Sequence, residues 1–185
     1  MRLLKRAAVR YDGVAITLHW LIAAALTAQS LFGWFMDDIA ARGTPARAGV
    51  VNLHKSLGLV LGALIVARLL WRLAHRPPPW PATVPARQQA LARLGHGALY
   101  AAMLLQPLSG YVASNFSKYG VRFFGHPLPP WAPESRAAYA YFNGLHQTLG
   151  WVLALMVAGH VALALKHALV DRDGLFGRIW PPRAG

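Results

Sequence analysis

The sequence predicts an all-α integral membrane protein: a four-helix bundle with both termini in the cytoplasm. Three observations lead there: long uncharged apolar runs, basic residues gathered between them, and histidines set inside them. Of 185 residues, 56% are hydrophobic and only 14% charged, whereas about a quarter of a soluble domain is charged. The 19 Lys and Arg against 6 Asp and Glu give a net charge of +13. Spread between apolar runs, these cations fix membrane topology, and no nucleic-acid partner is expected. There is no cysteine, which excludes disulfides, iron–sulfur clusters and thiolate zinc sites.

The first run, 15–36, reads "AITLHWLIAAALTAQSLFGWFM". It has no Asp, Glu, Lys or Arg, and at ~1.5 Å per residue it spans a bilayer core. The basic stretch before it lacks a short apolar segment ending at a cleavage site, so this helix is expected to stay in the mature protein. The second run, 53–73, carries Lys55 and Arg68 near its ends, where long side chains reach the interface. The third, 94–116, is uncharged and contains Pro107, an expected kink. The fourth, 143–165, closes at Lys166. Proline-rich "RPPPWPATVP" and "GHPLPPWAPES" break the chain between runs two, three and four. A single domain over 1–185 with no internal repeat is expected.

Basic residues orient the runs. Arg2, Lys5, Arg6 and Arg10, then Arg68, Arg72, Arg76, Arg87 and Arg93, then Lys166, Arg172, Arg178 and Arg183 fall on one side. Arg42, Arg47, Lys55, Lys118, Arg122 and Arg136 fall on the other. The richer side is cytoplasmic. Trp20, Trp34, Trp71 and Trp151 fall near span ends, as an aromatic belt does.

Eight histidines remain to be explained. His75 and His126 lie in loops. His54 and His146 fall near the outer surface; His19, His96 and His160 fall near the inner one, with His167 at the interface. His146 and His160 are 14 residues apart, about 21 Å along the axis and on nearly one helix face. No carboxylate lies within the runs, which argues against a proton relay, a zinc site or a di-iron site. Imidazoles facing each other across an apolar gap at two depths suit b-type haem. His54 pairs with His146. His160 pairs with His19, or with its rival His96. His96 and His167 are candidates for a quinone or propionate site. Two haems, bound non-covalently, are expected, with small residues in "AAALTA", "GLVLGA" and "GALYAA" making room for the rings.

The ordered segments "TLHWLIAA", "VNLHKSLGLVLGALIVARLLWRL", "LGHGALYAAMLLQPLSGY" and "LHQTLGWVLALMVAGHVALALKH" resemble bacterial cytochrome b561 and its relatives, the cytochrome b subunits of nickel–iron hydrogenases and formate dehydrogenases. The likeness runs from about residue 11 to 182. It implies a multi-pass protein of the bacterial inner membrane. It also implies two bis-histidine haems, on His19, His54, His146 and His160, and electron exchange with quinone or quinol. One branch of the family resembles a superoxide oxidase. On that reading, Lys55, Lys118, Arg122 and Arg136 would steer a small anion to the periplasmic face. The alternative is an anchor subunit that relays electrons between a periplasmic redox protein and quinone. The loop "NFSKYGVRFFGHPLPPWAPESRAAYAYF" departs from the family pattern.

Overall fold

A computed structural model of the chain describes residues 10–180. Four long helices carry it: α1 (Gly13–Trp34), α3 (Pro45–Ala74), α4 (Ala86–Asn115) and α5 (Arg136–Lys166), with a single turn, α2 (Met36–Ile39), after the first. Capping chemistry, not hydropathy, sets where they begin. The Asp12 carboxylate accepts from the Ala15 N–H at 2.8 Å and starts α1 two residues before the apolar run. Pro45 occupies the first turn of α3, where its missing N–H costs nothing. Ser135 caps α5 by accepting from the Ala138 N–H. So α3, α4 and α5 begin some seven or eight residues before the expected 53, 94 and 143.

By length and composition α1, α3 and α5, the last continued to Asp171, are apolar enough to cross a membrane. The 30-residue α4 is less apolar, because it carries His96, Gln106, Pro107 and Ser109. Two of these turn inward toward a histidine of α5. Pro107 lies inside the helix and packs against Gly62 of α3. α1 packs on α3, α3 on α4, and α4 on α5. At their centre Ile22, Leu61 and Ile65 are almost fully buried, backed by Ala25, Leu26, Leu64, Met103 and Leu104. Outward-facing Leu70, Leu105, Leu155 and Leu163 stay exposed, as lipid-facing residues do.

The chain is not wholly α. Strands β1 (Val121–Phe123) and β2 (His126–Leu128) form an antiparallel hairpin in the α4–α5 connection. Its two-residue turn has positive φ at both Phe124 (47°) and Gly125 (91°), the pairing that matches strand twist. Three-residue strands show too little alternation to be read from sequence. The hairpin is fastened to α3. Lys55 Nζ donates to the Gly120 carbonyl at 2.9 Å, and fully buried Ser56 accepts from the Phe124 N–H at 2.8 Å.

Both described chain ends meet at the opposite end of the bundle. Tyr11 N–H donates to the Arg178 carbonyl, and Trp20 Nε1 donates to Ile179 O at 2.9 Å. Buried Arg178, on a 3-10 turn (Phe176–Arg178), donates to the carbonyls of Pro78 and Pro79. The cations Arg2, Lys5, Arg6 and Arg183 lie outside the described residues.

Candidate functional site

Histidines from four helices meet in two layers inside the bundle. Toward the hairpin, the ring centres of His54 and His146 are 6.3 Å apart, with planes at 82°. Toward the chain termini, those of His19 and His160 are also 6.3 Å apart, at 62°. An imidazole nitrogen about 2.0 Å from a metal puts the ring centre about 3.2 Å from it, so two axial rings stand about 6.3 Å apart. His96 lies closer to His160, at 5.5 Å. Of the two inner pairings, His19 with His160 has the separation of two rings across one ion.

The surroundings fit such a ligand. Nδ1 of His19 and Nδ1 of His54 are buried without a hydrogen-bond partner, a cost that proteins rarely leave in place without a use. His146 Nδ1 lies 2.9 Å from the Gln106 carbonyl. A carbonyl only accepts, so Nδ1 carries the proton and the lone pair sits on Nε2, as a metal ligand requires. Glycines give the rings their space. A Cβ on Gly33 would stand 2.9 Å from His54 Cε1, and one on Gly110 would stand 2.9 Å from His146 Cε1.

These details disclose an internal repeat, against the sequence expectation. His19, Gln29 and Gly33 on α1 recur at the same spacing as His96, Gln106 and Gly110 on α4. His54 and Gly58 on α3 recur as His146 and Gly150 on α5. The contacts recur too: Gly33 faces His54 as Gly110 faces His146, and Gly58 faces Gln29 as Gly150 faces Gln106. The matching spacings thus make α1 the counterpart of α4 and α3 the counterpart of α5. They map His160 onto Arg68, and His19 onto His96. The signal was present in "HKSLGLVL" and "HQTLGWVL", masked by divergence elsewhere.

The remaining candidates fall at the two ends. His167 Nδ1 lies 2.6 Å from Asp173 Oδ2 and 3.3 Å from Asp171 Oδ2, in a π-helical turn (His167–Asp171) after α5. Lys55 is half-buried and engaged with the hairpin, whereas Lys118, Arg122 and Arg136 are exposed. Sequence reasoning missed Gln29, Gln106, Gly33, Gly110 and Tyr100, none of which carries charge, and it read Arg68 only as an interfacial residue.

The family model for prokaryotic cytochrome b561 matches residues 10–182. The chain belongs to that family. It is 31% identical to cytochrome b561 homolog 2 of Escherichia coli K12, over 92% of this chain and 90% of that protein. Cytochrome b561 homolog 1 of the same organism is 26% identical, over 94% and 98%. A probable superoxide oxidase of Yersinia pestis is 23% identical, over 95% and 98%. Membership makes the protein a helical membrane cytochrome of electron transfer, with b-type haem as its cofactor. The two 6.3 Å imidazole pairs are what that cofactor needs.

Proposed function

We propose that this cytochrome b561 holds two b-type haems, one between His54 and His146 and one between His19 and His160. So loaded, the protein would move electrons across the bacterial inner membrane to or from quinone. The observation that carries the reading is the equal 6.3 Å spacing of two imidazole pairs at two levels of one bundle. When bound, haem supplies one-electron iron chemistry at each level. The protein's residues do the rest. His54 with His146, and His19 with His160, would hold the two groups from both sides, and the chemistry supplied there would be electron transfer and not O2 binding. Apolar Ile22, Leu61 and Ile65 keep water from the space between the layers. Gln106 fixes the His146 tautomer.

All four long helices cross the membrane on this reading, with the described termini in the cytoplasm and the hairpin outside. α4 crosses despite its lower hydropathy, because Gln106 and Ser109 face His146 and not lipid. At the outer face Lys118, Arg122 and Arg136 present positive charge to a small anion. Superoxide is the donor this favours, and one relative is named a probable superoxide oxidase. Each superoxide gives up one electron and leaves as O2; two electrons and two protons turn one quinone into quinol.

A reduced-minus-oxidised spectrum of the purified protein, with haem counted per chain, tests the reading. Two haems per chain are expected, and a fully loaded sample with one would overturn the two-layer assignment. Quinone reduction by superoxide with the protein alone supports the oxidase. Co-purification with a dehydrogenase, without that activity, moves the protein to the anchor-subunit class.

A further inference from the structure

Arg68 breaks the symmetry of the inner layer. The repeat puts it where the other half has His160, 14 residues after His54 as His160 is 14 after His146. A guanidinium cannot replace an imidazole as an iron ligand, and its charge is permanent. Within an apolar helix such a cation is costly and calls for a partner. Among the described residues, no carboxylate pairs with Arg68 or with Arg72 one turn on. Arg68 Nε donates to the hydroxyl of Tyr100 at 3.0 Å. Tyr100 is itself buried, one turn after His96. Its ring lies under both guanidinium groups, 5.8 Å from Arg68 Cζ and 5.6 Å from Arg72 Cζ.

That arrangement immobilises Arg68 through one nitrogen and leaves its two terminal amino groups uncommitted. Paired terminal N–H groups on a fixed plane are the donor set for bidentate carboxylate binding. Tyr100, which Arg68 holds, stands one turn after His96, whose ring centre lies 5.5 Å from that of His160. The cation therefore sits at the edge of the inner imidazole pair, and the described protein supplies no anion for it.

We propose that Arg68, held by Tyr100, is a carboxylate-binding site beside the inner layer, and that its occupant is a propionate of the haem between His19 and His160. The inference rests on the two-haem reading, and it assigns that haem its orientation within the bundle. Arg72 adds charge without direct contact. A carboxylate from a fatty acid would satisfy the same donors, and the test separates the two sources.

Full-length protein is loaded with native haem or with haem whose two carboxylates are methyl esters. Inner-haem retention and midpoint potential are then measured, with the outer haem as an internal control for folding. With native haem, Arg68→Gln is expected to shorten inner-haem retention about tenfold, equivalent to about 1.4 kcal/mol, and to lower its potential. Tyr100→Phe, which keeps the ring, is expected to do so partially, and Arg68→Lys to recover part of the loss. With the diester, wild type and Arg68→Gln should retain the inner haem equally. Equal losses from Arg68→Gln with both haems would overturn the proposal and point to a free carboxylate or a structural role. No loss with native haem would overturn it as well. A wild-type protein that binds no inner haem would instead refute the two-haem reading.

Discussion

At the scale of single residues, the inner layer poses a choice between two imidazoles on different helices. His19 and His96 are equivalents in the repeat, yet only His19 stands 6.3 Å from His160. His19→Ala is expected to abolish the inner low-spin signal, whereas His96→Ala should keep it and shift at most its potential. Visible and EPR spectra of the two variants decide; the reverse pattern would move the ligand to α4. Gly110 supplies a second case. An alanine there would bring its Cβ to 2.9 Å from His146 Cε1, and a ring bound to iron has no freedom to swing aside. Gly110→Ala should therefore lose the outer haem while Gly95→Ala, which meets nothing within 4 Å, keeps both. Haem counted per chain reads the difference.

At the scale of elements, caps and clasps decide where the helices begin and how the connections sit. The Ala15 N–H, and then the Trp71 indole, donate to Asp12 and hold its carboxyl below the usual carboxylate range. A lowered folded value means that the contribution is present above the unfolded value of about 3.9 and lost as pH falls through the folded one. Thermal melts at pH 6 should separate Asp12→Ala from wild type, and the gap should close as pH falls below the usual carboxylate range. A gap unchanged at low pH would show that the charge does nothing. Ser56→Ala strands the Phe124 N–H that the hydroxyl now accepts, at a cost of about 1–3 kcal/mol. Faster proteolysis at the hairpin, with both haems retained, is the expected result.

Much of this level was legible beforehand, for a physical reason. Apolar length and the 14-residue interval are written in residue type, so the helical runs and the separation of His146 from His160 along one helix could be read directly. The starts of α3, α4 and α5 were not, because Pro45 in a first turn, Pro85 before a helix and the Ser135 hydroxyl act on local backbone groups, and hydropathy does not register them. The hairpin escaped because Lys55 and Ser56 hold it from sixty-odd residues away. The role of Gly33 and Gly110 is visible only once the facing ring is known.

For the whole molecule, the repeat makes the outer pair symmetric, since His54 and His146 are equivalents, and the inner pair asymmetric. His54→Ala and His146→Ala should therefore have the same effect, each removing the outer haem and sparing the inner. A spectrum that retained both low-spin signals in either variant would remove that residue from the ligand set. His160→Ala has no such twin, because its equivalent is Arg68.

The most extensive packing runs α1 on α3 on α4 on α5, and α1 and α5 do not pack closely along their lengths. They meet through side chains: the stack of Trp34 on Trp151, 4.7 Å between ring centres, and His19 opposite His160. One fastening of that seam is aromatic, and the other is a pair of imidazoles. On the two-haem reading, a newly inserted chain is a sheath with one side unbuttoned, and His19 and His160 would close it by holding the inner cofactor between them. Iron supply would then set how many molecules survive as well as how many work. A cell short of haem should accumulate chains held along that seam by fewer contacts, and membrane proteases should clear them.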